Sequence, residues 1–85
     1  MKSFTYTVTD ELGLHARPAS QLVKESKKYK STITVSDGVK KTTAAQLMML
    51  MSMGIKKGAT VTVSVEGEDE ETAYVAIQQF FKDNL

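Results

Sequence analysis

Thr60-Val61-Thr62-Val63-Ser64-Val65-Glu66-Gly67 sets three valines in strict alternation with hydroxyl residues and closes on a glycine. A period of two puts all three valines on one face of a strand and leaves the hydroxyls on the other. One face is therefore built to be buried and the other to meet water, as in a sheet covered on a single side. Moving outward, Phe4, Tyr6 and Val8 alternate with Thr5, Thr7 and Thr9 in the same manner. Two further short strands, Thr32 to Ser36 and Val39 to Thr43, flank Asp37-Gly38, a dipeptide that favours a two-residue hairpin turn.

Between the strands the period changes. Ala19, Leu22, Val23 and Ser26 have helical spacing within about Ala16 to Lys28, with lysines on the far side. A second helix is predicted over about Ala44 to Met53: Thr43 and Gln46 have capping-box spacing, and Gly54 stands where a helix ends. A third follows Asp69, its expected N-cap, with Glu70 and Glu71 in the first turn and Ala73, Ala76, Ile77 and Phe80 toward a core. The order is βαββαβα, which segregates into two layers, one sheet with helices over one face.

At 85 residues the chain reads as a single domain spanning 1–85, large enough to hide roughly 60–70% of its unfolded surface. Cysteine is absent and His15 is the one histidine, which excludes disulfides, thiolate clusters and any site needing two imidazoles. The beginning of the chain alternates, unlike a signal peptide, and Leu47 to Ile55 is too short to span a bilayer; a cytoplasmic protein without membrane insertion is expected. The formal charge of +1 argues against a nonspecific nucleic-acid binder. Its distribution is uneven: residues 1–65 hold 10 basic and 4 acidic side chains, residues 66–85 hold 1 and 6. A locally basic region suits an anionic ligand or an acidic partner, although a merely solvated surface accounts for the same numbers.

The chemistry concentrates in Gly13-Leu14-His15-Ala16-Arg17-Pro18-Ala19-Ser20. His15 falls just before a helix, and Pro18 lies in the first turn, where a missing N–H costs little. Free amides at a helix start attract anions, and the dipole contributes about 0.3–1 kcal/mol there. Arg17 adds a guanidinium whose planar fork matches phosphate oxygens. The same helix end disfavours imidazolium, so a neutral, nucleophilic His15 is expected near pH 7. The residue before a proline is biased away from helical angles, which leaves open whether Arg17 lies inside the regular helix and which amides of Ala16, Arg17 and Pro18 face an anion. Spacing alone also leaves open a plain surface histidine that caps a helix.

Gly13 to Ala19 closely resembles the active-site signature of HPr, the histidine-containing phosphocarrier of the bacterial sugar phosphotransferase system. The resemblance runs through essentially the whole chain. Met51 to Gly58 is similar to the family's second conserved stretch, and Glu66 to Glu71 to the entry of its last helix. The fold this implies is α+β, an open-faced two-layer β-sandwich with a four-stranded antiparallel sheet covered on one face by three helices. By the same resemblance His15 takes a phosphoryl group on Nδ1 from phospho-enzyme I and passes it to a histidine of an enzyme IIA domain. Arg17 stabilises the group in transit. Such a protein is a relay, not a self-sufficient enzyme, needs no metal or organic cofactor, and is expected to act as a monomer.

Leu47, Met48 and Met51 make one face of the second helix, and Met49, Leu50 and Met53 the opposite one. A domain this small buries only one of them, and flexible methionines suit a surface that meets several partners. Filling of core gaps is the plainer account of the same methionines. The resemblance implies that Leu47, Met48, Met51 and Ser20 dock enzyme I and enzyme IIA. It also exposes a departure: where many HPr proteins carry a kinase-regulated serine, this chain has Gln46, preceded by Ala44 and Ala45. An alternative reading is a regulatory module that binds a transcription factor or metabolic enzyme according to the state of His15. An RNA-binding βαβ domain is rejected, because no aromatic trio lies on a central strand.

Overall fold

The valines of the last strand become the middle of the molecule. The computed structural model describes all 85 residues and contains β1 (Lys2–Thr7), α1 (Ala16–Ser26), β2 (Thr32–Ser36), β3 (Lys41–Thr43), α2 (Leu47–Ser52), β4 (Thr60–Glu66) and α3 (Glu70–Asn84). The sheet order is β1-β4-β2-β3, with every pair antiparallel. β4 is interior and pairs with β1 and β2, so Val63 stands opposite Phe4 on one side and Val35 on the other. Val61, Val63 and Val65 are all fully buried under the helices. One residue along, Thr5, Thr62, Ser36 and Lys41 form a row across the uncovered face. The strict alternation thus fixes register, since a slip of one residue would expose every valine.

Helices α1 and α3 supply the cover. Pro18, Ala19, Leu22 and Ser26 are the buried side of α1. Ala73, Ile77 and Phe81 are the buried side of α3, and the Phe81 ring meets Phe4 edge-on at 5.7 Å between centroids. Phe80 and Ala76, expected in the core, are only half-buried, because the row 73, 77, 81 advances by four and leaves them one step to the side. No helix is long and apolar enough to cross a membrane.

Three local expectations differ from the structure. The β2–β3 turn centres on Gly38-Val39 instead of Asp37-Gly38. Asp37 stays outside the central pair: its N–H donates to the Lys40 carbonyl (3.0 Å), and its carboxylate accepts from the N–H groups of Val39 (2.9 Å) and Lys40 (2.7 Å). These amides, Lys40 first, hold the Asp37 carboxyl below the usual carboxylate range. Helix α2 is shorter than predicted, with Gln46 rather than Thr43 as N-cap and no side-chain cap bond. The reason is that buried Ala44 still belongs to the sheet's path, its N–H donating to the Ile33 carbonyl at 2.7 Å. Asp69 is the N-cap of α3, yet its carboxylate turns away from the helix. It accepts from the Ser31 hydroxyl (2.5 Å) and from the N–H groups of Lys30 and Ser31 (2.9 Å each), pinning the α1–β2 connection. The Ser31 hydroxyl, followed by the Lys30 amide, lowers the pKa of this carboxyl.

Candidate phosphoryl-transfer site

His15 is the N-cap of α1, with extended backbone angles (φ −92°, ψ −174°). Its carbonyl already accepts the first helical bond, from the N–H of Ala19 at 3.0 Å, while its own N–H donates back to the Gly13 carbonyl at 3.0 Å. No acceptor within the chain meets the N–H groups of Ala16 and Arg17, and Pro18 has none to offer. The positive end of an 11-residue helix, with no acidic residue in its first turn, therefore opens beside the imidazole. Arg17 lies inside the regular helix despite the proline that follows, and its side chain is exposed; Pro18 is buried. The His15 side chain is partly exposed.

The loop is set by its neighbours. Gly13 takes φ +66°, and a Cβ there would collide with the backbone of Ile55 and Lys56. The next amide, of Leu14, donates to the Ile55 carbonyl at 2.9 Å. The segment leaving α2 is thereby stapled to the histidine loop, and it brings exposed Lys56 and Lys57 with it. α1 and α2 pack against each other, so one side of the molecule carries the histidine end and the methionine helix.

Helix α2 sorts its side chains mostly as expected. Leu50 is fully buried and Met53 nearly so, whereas Met48 is 78% exposed and Met51 stands in solvent. Leu47 is half-buried against the core and Ser20, on α1, is half-buried too. Met49, placed with the buried face, is instead exposed, to much the same degree as Met51. Six residues are under two turns, and only Leu50 is buried within them. Gln46 directly precedes this helix and is exposed.

Sequence reasoning missed two neighbours of the site. Asp10 brings its carboxylate to within 3.9 Å of His15 Nε2. Leu85, at the far end of the chain, is buried and its carbonyl oxygen accepts from the N–H groups of Thr9 (2.6 Å) and Asp10 (2.8 Å).

Residues 2–83 match the family model described as the PTS HPr component phosphorylation site. The chain belongs to the HPr family. Among its relatives, the phosphocarrier protein HPr of Mycoplasma capricolum is 42% identical over 79 residues, which cover 93% of this chain and 89% of the relative. An HPr crystal structure from Thermoanaerobacter tengcongensis superimposes with a TM-score of 0.90 at 39% identity, covering 96% of this chain and 92% of that one. A structure described as an HPr dimer from the same organism gives 0.76 at 38% identity, covering 98% and 95%. The four-stranded antiparallel sheet with three helices on one face is thus the HPr fold, and the chain is a phosphotransferase-system HPr protein.

Proposed function

We propose that this HPr protein is a cytoplasmic phosphocarrier whose 85 residues act as one domain, accepting a phosphoryl group on His15 Nδ1 from phospho-enzyme I and handing it to enzyme IIA domains. The observation that carries this reading is a half-exposed imidazole at a helix N-terminus whose Ala16 and Arg17 amides have no partner in the chain. In the first transfer the Nδ1 lone pair forms a bond to phosphorus while the donor's own histidine–phosphorus bond breaks. The Ala16 and Arg17 amides and the Arg17 guanidinium then face the phosphoryl oxygens, whose charge they and the helix dipole stabilise. This stabilisation is modest at an exposed site, which suits a group that must leave again.

Leu47, Met48, Met51 and Ser20 form the docking surface in this reading, supported by the exposure of Met48 and Met51 beside α1. Both parts lie on one chain, so a monomer suffices for transfer. Gln46 has no hydroxyl, and regulation by a serine kinase at that position is lost.

Purified chain, enzyme I and phosphoenolpyruvate provide the test, with intact mass measured before and after mild acid. One acid-labile phosphoryl group is expected, and none in His15→Ala. No mass gain with an active cognate enzyme I overturns the carrier reading, and stoichiometric ATP-dependent phosphorylation by a serine kinase would overturn the statement about Gln46.

A further inference from the structure

Among the charged groups of this region, one contact has no place in the transfer chemistry described above. Asp10 Oδ2 lies 3.9 Å from His15 Nε2, the ring nitrogen that does not carry phosphorus. Asp10 is held there from three directions. Its N–H donates to the Leu85 carbonyl (2.8 Å), its carbonyl accepts from the Gly13 N–H (3.0 Å), and the same Oδ2 accepts from the Leu12 N–H (3.0 Å). The other charged side chains of the segment, Glu11 and Arg17, stand in solvent.

We propose that Asp10 is a positioning residue for His15, keeping the ring proton on Nε2 so that Nδ1 presents its lone pair. The inference rests on the carrier reading and deepens it. A carboxylate facing Nε2 favours the tautomer with the proton on that nitrogen and opposes the one with the proton on Nδ1. When Nδ1 bonds to phosphorus, the Nε2 proton stays in place and the ring becomes cationic, and the facing carboxylate lowers the cost of that charge. In the onward transfer the Nδ1–phosphorus bond breaks, its electron pair returns to Nδ1, and the ring leaves as neutral imidazole with the Nε2 proton unmoved. The proton never has to be fetched or discarded in either direction.

Asp10→Asn is the informative variant. Its side-chain oxygen still accepts from the Leu12 N–H, so the loop turn is kept and the charge alone is lost. Phosphorylation of His15 is timed with two donors, phosphoramidate as a small chemical donor and enzyme I with phosphoenolpyruvate. Asp10→Asn is expected to slow uptake by up to about fivefold at low salt, the effect of one unit charge about 4 Å away in water. At ~1 M salt the screening length falls to about 3 Å and the ratio of wild type to variant moves toward one. Equal rates at low salt, or a deficit that salt does not touch, overturn the proposal. Nitrogen-15 NMR of the unphosphorylated chain reads the contact without any transfer. Part of the Nε2–H population is expected to move to Nδ1–H in the variant, and identical spectra overturn the role of Asp10 even where phosphorylation of the wild type itself fails and the carrier reading falls.

Discussion

Gly13→Ala offers the most direct test of how the histidine loop is held. Gly13 has φ +66°, and its missing Cβ leaves the space filled by the Ile55 carbonyl and the Lys56 backbone. Two costs arise on substitution. A side chain in the left-handed region costs roughly 1–2 kcal/mol. A Cβ at this place also forces the two backbones apart, which breaks the Leu14 N–H bond to the Ile55 carbonyl; leaving such a buried group unpaired costs roughly 1–3 kcal/mol. The expected destabilisation is therefore about 2–5 kcal/mol, against a total of roughly 4–13 kcal/mol for a domain of this size. Gly54→Ala is the matched control. Gly54 has φ +65°, the same backbone demand, but nothing lies within 4 Å of its would-be Cβ. It should cost about 1–2 kcal/mol and no more. Urea unfolding followed by circular dichroism measures both, and phosphoryl uptake from enzyme I measures the consequence for His15. If Gly13→Ala costs no more than Gly54→Ala, the stapling of the loop to Ile55 is not what fixes it.

Further expectations concern other layers of the molecule. Leu50→Ala removes a fully buried side chain from α2 and should cost about 2–5 kcal/mol in urea unfolding. Met48→Glu, two residues earlier and in solvent, should change stability by no more than about 0.5 kcal/mol while weakening the enzyme I KM for the chain; unchanged transfer kinetics would remove Met48 from the docking surface. Asp69 has a folded-state pKa below its unfolded value of about 3.9, so its bonds to Ser31 and Lys30 stabilise the fold above that pH and are lost as pH falls through the lowered value. Asp69→Asn should therefore be less stable than wild type near neutral pH, with the gap closing in acid; a gap independent of pH would refute this account.

The sheet was legible because one face is buried throughout, and Val61, Val63 and Val65 cannot shift by one residue without turning to water. The placing of His15 at the start of α1 was legible because the helical spacing that follows it, and Pro18 in the first turn, are local in sequence. What escaped depends on contacts between segments distant in sequence. Thr43 and Gln46 have the spacing of a capping box, but Ala44 is bonded to Ile33 and delays the helix. Asp69 does hold the N-cap position of α3, but Ser31 and Lys30 claim the carboxylate that would have closed the cap. Phe81 rather than Phe80 enters the core because Phe4 and Tyr6 set their edges against it. Asp10 stands five residues before His15, a separation that carries no signal until Gly13 folds the loop back on itself.

The bond from the Leu85 carbonyl to the Thr9 and Asp10 amides joins positions at opposite ends of the sequence. β1 likewise has no partner until β4 exists. Contacts of such long separation form late, because closing the intervening chain costs entropy before any contact repays it. The loop that carries Asp10 and His15 is therefore set only once β4 and Leu85 are in place. A truncated or still-growing chain would present the whole seven-residue signature without the geometry that gives it meaning. A residue 75 positions beyond Asp10 thus helps to shape the loop that holds it.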